Sequence, residues 1–162
     1  MPDLREQLQQ CFQGRVCLVG LGNVDHGDDG FGVRLAEVLS NSEMPYRVIN
    51  AGTTPERFIG RVADAHWDNV IFLDAVQFGG SPGSVVFLNS DEMAARFPQI
   101  STHKLALGLL ARQVEANGRT KAWLLGVQAE SLKSGGQLSP TVQASLELLL
   151  ELLRKTSTEV MA

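Results

Sequence analysis

Apolar residues fall in short continuous runs that alternate with stretches of helical spacing. Val16–Gly20 (VCLVG) and Val70–Asp74 (VIFLD) are apolar runs of strand length, the pattern of strands covered on both faces. Arg47–Asn50, Ser84–Leu88 and Ala122–Val127 complete the strand candidates. The break Gly79-Gly80-Ser81-Pro82-Gly83 precedes Ser84–Leu88 and places it at an edge. Between these runs the period changes to that of a helix. Phe31, Leu35, Val38 and Leu39 form one apolar face, and Leu107, Leu110, Ala111 and Val114 another. Val142, Leu146, Leu149, Leu150 and Leu153 form a third, which Leu148 and Leu152 widen.

The helix boundaries are also marked. Thr54-Pro55 opens one helix, with proline in its first turn. Ser101 and Thr102 are candidate N-caps for a helix from Lys104 to about Asn117, which Gly118 ends. Ser139-Pro140 supplies the N-cap and first position of the last helix. Residues 1–14 form a helical extension through Leu4, Leu8, Cys11 and Phe12, with Gly14 as its terminal cap. Strands alternating with helices predict one α/β domain over residues 1–162. It is a three-layer fold with a mostly parallel, twisted sheet of about five strands and helices on both faces. Ligands of such sheets bind beyond the carboxyl ends of the strands.

Composition narrows the class. The chain has 162 residues, 44% hydrophobic and 20% charged, enough for one substantial core. A net charge of −4 leaves no basic footprint for nucleic acid. No apolar run approaches the roughly 18 residues of a membrane span, and MPDLREQLQQ lacks the apolar stretch of a signal peptide. Cys11 and Cys17 make no disulfide framework, so a cytoplasmic location is expected.

The chemistry concentrates at predicted strand ends. Gly20-Leu21-Gly22-Asn23-Val24-Asp25-His26-Gly27-Asp28-Asp29-Gly30 follows the first strand. A dinucleotide fingerprint would need glycine where Asp25 stands, and the acids repel phosphate. A calcium loop would need its bidentate glutamate where Ala36 stands. One of Asp28 and Asp29 is expected to cap the following helix, which leaves the other to face the crevice. Asp74 ends an apolar strand, where a carboxylate either emerges into the crevice or bonds nearby backbone N–H groups. His103 opens a helix, whose dipole favours the neutral, ligating imidazole. His66 is expected at the surface, and His26 in the acidic loop is not expected to ligate. The chain has no H-E-x-x-H helix, and neither cysteine has a convincing partner. Two carboxylates and an imidazole, Asp29, Asp74 and His103, form a donor set suited to a divalent metal.

These residues carry a resemblance. Gly20-Leu21-Gly22-Asn23 with Gly27-Asp28-Asp29-Gly30-Phe31-Gly32, then Asn50-Ala51-Gly52-Thr53, Leu73-Asp74-Ala75 and Ser101-Thr102-His103, resemble the motifs of the nickel–iron hydrogenase maturation endopeptidases. Leu125-Gly126-Val127-Gln128 and Leu138-Ser139-Pro140-Thr141-Val142 follow in the family's order, so the likeness covers about residues 15–155. The resemblance implies an endopeptidase that removes a short C-terminal extension from the [NiFe]-hydrogenase large-subunit precursor. It implies that Asp29, Asp74 and His103 are the catalytic and metal-binding residues and engage nickel already inserted in that precursor. Nickel would then be delivered within the substrate as a recognition element, with no organic cofactor, and an empty precursor would stay uncut. Some members carry glutamate at position 29, where this chain has aspartate. Gly52 is expected near the cleft because glycine lets another backbone come close.

Three protein ligands leave positions open for substrate thiolates, water or a peptide carbonyl. The metal then serves as a handle, a Lewis acid or both, or the carboxylate pair activates water directly. A non-proteolytic nickel-binding chaperone of the large subunit is the alternative reading, and a general peptidase a third. A monomer is expected, with Leu148 and Leu152 the place for any oligomer or partner contact.

Overall fold

The computed structural model describes residues 3–41, 44–96 and 107–161, with side chains through 157. Five strands form one sheet: β1 (Val16–Leu21), β2 (Arg47–Gly52), β3 (Asn69–Val76), β4 (Val85–Asn89) and β5 (Lys121–Gln128). The order is β2-β1-β3-β5-β4, parallel except for β4, which runs antiparallel to β5 at one edge. The helices are α1 (Leu4–Cys11), α2 (Phe31–Ser40), α3 (Glu56–Asp64), α4 (Ser90–Arg96), α5 (Leu107–Glu115) and α6 (Pro140–Met161).

Alternation along the strands builds two cores. Leu18, Ile71, Leu73, Leu125 and Val127 pack on one face with Leu8, Phe31, Leu35, Leu39, Val142 and Leu149, which belong to α1, α2 and α6. Val19, Val70, Phe72, Val76 and Leu124 pack on the other with Ile59, Val62, Met93, Leu107 and Leu110, from α3, α4 and α5. The three-layer arrangement expected from the sequence is therefore present. The faces of α2, α5 and α6 are also as spaced, with Val38 and Leu150 only half-buried.

Several local readings change. The first helix is capped at its N-terminus by Asp3, whose carboxylate accepts the Glu6 N–H at 2.9 Å, and its C-cap is Phe12 rather than Gly14. Gly14 is needed instead because a Cβ there would press 2.5 Å from the Asp68 carboxylate. Pro55 stands at the N-cap of α3, one position before the first turn. The start expected for α5 lies outside the described residues, and its described part runs from Leu107. The short helix α4 had no counterpart in the sequence reading.

Candidate functional site

The strand order fixes where a crevice opens. β1 is joined through α2 to β2 on its one side, and β2 through α3 to β3 on its other. The helices α2 and α3 lie on opposite faces. The connections thus diverge beyond the carboxyl ends of β1 and β3, the topological switch point at which open α/β sheets bind ligands. The backbone separates at the same place. The β1–β3 pairing ends at Gly20 opposite Leu73, after which Leu21 stays paired with Gly52 of β2 and Asp74 with Gly126 of β5. The first turn of α2 wedges into this fork. A Cβ on Gly32 would overlap the Leu73 carbonyl oxygen and come within 2.5 Å of the Leu21 carbonyl oxygen. Only glycine lets the helix seat against both strand ends.

Asp74 stands at the fork but does not end its strand, since Ala75 and Val76 remain paired with Val127 and Gln128. It is fully buried rather than emerging. The expectation of a strand-end carboxylate is corrected to one at the end of the β1–β3 ladder. Alternation puts Asp74 on the same face as Phe72 and Val76, toward the layer that contains α5.

Asp29 reaches the fork from the acidic loop. It belongs to a 3₁₀ turn, Gly27–Gly30, that packs against β3 and leads directly into α2. Asp29 is only 5% exposed, and its carboxylate accepts the Asn23 N–H at 3.0 Å. Gly22, at φ +130, lets the loop fold back beneath it, for a Cβ there would overlap the Asp29 carbonyl oxygen. Both carboxylates therefore come from segments that meet at the α2 wedge. Neither is without a partner.

Asp28, the neighbour of Asp29, does a different job from the expected cap. No side chain caps α2, whose N-cap is Gly30. The fully buried Asp28 carboxylate accepts the N–H groups of Glu130, Ser131 and Ser139 at 2.7–2.9 Å, and the Ser139 hydroxyl as well. Burial alone would push its pKa up. The bonds from Ser139, Ser131 and Glu130 outweigh burial and hold the carboxyl below the usual carboxylate value. Main-chain bonds add to this tie: Gly27 N–H to Gly135 O at 2.8 Å, Asp28 N–H to Ser131 O at 2.9 Å, and Gly135 N–H to Asp25 O at 2.8 Å. The β5–α6 connection is thereby laced to the turn that carries Asp29. Sequence reasoning missed this role because its partners lie more than 100 positions away.

His103 lies outside the described residues, as do Ser101 and Thr102. His26 and His66 are exposed, and His66 takes a positive φ of 59°. Among the described residues no three histidine, cysteine or acidic side chains form a metal-sized cluster. Of the three residues expected as ligands, Asp29 and Asp74 stand on segments that meet at the fork. Gly52 lies at the cleft margin, its carbonyl accepting the Gly22 N–H at 2.9 Å. Its φ of +56° favours glycine, and among the described residues a Cβ there would meet only the Asn50 side chain at 3.9 Å.

Comparison with known proteins agrees with this architecture. A family model described as hydrogenase maturation protease matches residues 33–156, beginning just after the acidic loop. The hydrogenase 2 maturation protease of Escherichia coli K12 is 33% identical over 144 residues, covering 85% of this chain and 87% of the relative. The crystal structure of the [NiFe] hydrogenase maturation protease HycI from Thermococcus kodakarensis superposes with a TM-score of 0.77 at 30% identity. That match covers 91% of this chain and 99% of the other. The hydrogenase maturating endopeptidase HybD of E. coli gives a TM-score of 0.71 at 31% identity, covering 88% and 93%.

Proposed function

Since this chain belongs to the hydrogenase maturation protease family, we propose that it removes the C-terminal extension of a nickel-loaded [NiFe]-hydrogenase large-subunit precursor. The chain is a hydrolase, an endopeptidase of the maturation class. The observation that carries the finer reading is the pair of buried carboxylates, Asp29 and Asp74, drawn from different segments to one fork in the sheet.

Asp29 and Asp74 supply oxygen ligands to the nickel that the precursor brings, and His103 supplies the nitrogen. α5, the helix His103 precedes in the chain, lies on the face to which Asp74 belongs. Nickel is part of the substrate in this reading. Its coordination by enzyme carboxylates makes productive docking conditional on a loaded precursor. The Asn23 N–H orients Asp29, and the fixed backbone of β3 orients Asp74, so the pair is preorganised before substrate arrives. No helix among the described residues is long and apolar enough to cross a membrane. Cys11 and Cys17 are free, buried thiols, which fits action in the reducing cytoplasm. The exposed large apolar side chains among the described residues are the single leucines Leu109 and Leu148, which favours a monomer.

Purified protein mixed with nickel-loaded precursor tests the reading. Asp29→Ala, Asp74→Ala and His103→Ala should each slow shortening of the large subunit by at least about 100-fold while circular dichroism stays native. Normal cleavage by one variant removes that residue from the site. Retention of nickel-dependent binding without any cleavage by the wild type would instead make the protein a chaperone.

A further inference from the structure

Among the described residues β2 is an outer strand whose sheet neighbour is β1 alone. Along its other edge runs a groove of about 490 Å³, lined by Arg47, Ile49 and Asn50 of β2, Phe58 and Arg61 of α3, and Trp67. Arg15 also lines it, so three arginines and no carboxylate face the groove among the described residues. Arg15 is committed to the wall, where its guanidinium donates to the Ala65 carbonyl at 3.3 Å and stacks 4.7 Å from the Trp67 ring. Arg61 lies over the Phe58 ring at 5.6 Å, and Arg47 is exposed at the start of the strand. Exposed edge strands are normally paired, covered or blunted, because their free N–H and C=O groups recruit another strand. This edge combines such a row with an apolar floor of Ile49, Phe58 and Trp67 and with uncompensated positive charge.

Along β2 the groove leads toward the crevice. Asn50 lines it, and Gly52, two positions on, holds the Gly22 N–H of the acidic loop. From Gly52 back to Arg47 the strand spans about 17 Å at the rise of an extended chain. We propose that this edge is the docking strip for the segment that the protease cuts away: an extended peptide bearing carboxylates, paired antiparallel to β2. A bond held at the crevice sends its downstream chain toward the start of β2, where Arg47 and Arg61 receive acidic side chains or the terminal carboxylate. The main chain supplies affinity through strand addition, and the two arginines supply selectivity. The source of the peptide rests on the proposed function. The peptide chemistry rests on the groove.

A fluorescein-labelled seven-residue peptide of alternating valine and glutamate, with a free C-terminus, is titrated into the full-length protein and followed by anisotropy. Saturable binding is expected, weakened by added salt and by C-terminal amidation. The lysine–valine counterpart should not bind, nor should a valine–glutamate peptide methylated at alternate backbone nitrogens. The double variant Arg47→Glu with Arg61→Glu should lose affinity by at least about tenfold, whereas Arg47→Lys with Arg61→Lys retains most of it. In precursor processing the glutamate pair should raise KM with kcat within about twofold. Equal binding of the lysine peptide, undiminished binding by the glutamate pair, or binding of the methylated peptide would overturn the proposal. So would a wild-type dimer by light scattering that the glutamate pair dissociates, because the edge would then pair with a second copy. Failure of the wild type to cut any precursor refutes the proposed function but leaves the peptide-binding result standing.

Discussion

Three aspartates near the fork have separate duties. In the proposed function Asp29 and Asp74 are the chemical pair, and Asp28 is an anchor whose carboxylate satisfies three backbone donors and a hydroxyl. Its folded pKa lies below the unfolded value of about 3.9. As pH falls, the unfolded chain therefore takes up the proton first. The anchor's contribution is full at neutral pH and erodes as pH drops below about 4. Asp28→Asn should cost on the order of 2 kcal/mol at pH 7, with the gap to wild type closing toward pH 3 in urea melts. A gap that stays constant across that range would contradict the assignment. The cysteines allow a second check. Burial pushes both Cys11 and Cys17 up to about 12, against the smaller opposing pull of Lys121 and Arg47. Native protein should resist iodoacetamide at pH 8 and react at both thiols only in denaturant, as read by intact mass.

At the scale of elements, the wedge of α2 into the β1–β3 fork holds the site in shape. Gly32→Ala should push the helix off both strand ends, lower stability on the order of 3 kcal/mol and reduce processing. Unchanged melting would mean the close approach is not required. The sequence declared the helices and strands well where periodicity was strong, as in α2, α5 and β1. It understated β3, because an aspartate closing an apolar run reads as the strand's end, whereas Ala75 and Val76 stay paired and buried. It also overlooked α4, although a sign was present. Asn89 and Glu92 form a capping box in which the Glu92 N–H reaches Asn89 Oδ1 at 2.9 Å and the Asn89 N–H reaches Glu92 Oε1 at 3.1 Å. Glu92→Ala should cost about 1 kcal/mol in a thermal melt. The helix is too short for its apolar spacing to show in a sequence window. In the candidate site, Asp29 and Asp74 were legible because acids interrupt apolar or glycine-rich runs there. Asp28 was not, because a cap and a tertiary anchor look alike until the distant loop at Ser139 is seen.

For the whole molecule, the sheet order joins two surfaces: a carboxylate-bearing crevice at the carboxyl end of β1 and β3, and a basic edge along β2. A protease that acts once on one folded partner has use for both. In the account proposed above, the crevice reads the metal and the edge holds the departing chain. The decisive measurement is intact-mass analysis of a large-subunit precursor, prepared with and without nickel, after incubation with the wild type and with Asp74→Ala. The account predicts loss of the C-terminal extension in one case only, loaded precursor with the wild-type enzyme. Equal shortening of the nickel-free precursor, or of loaded precursor by Asp74→Ala, would contradict it.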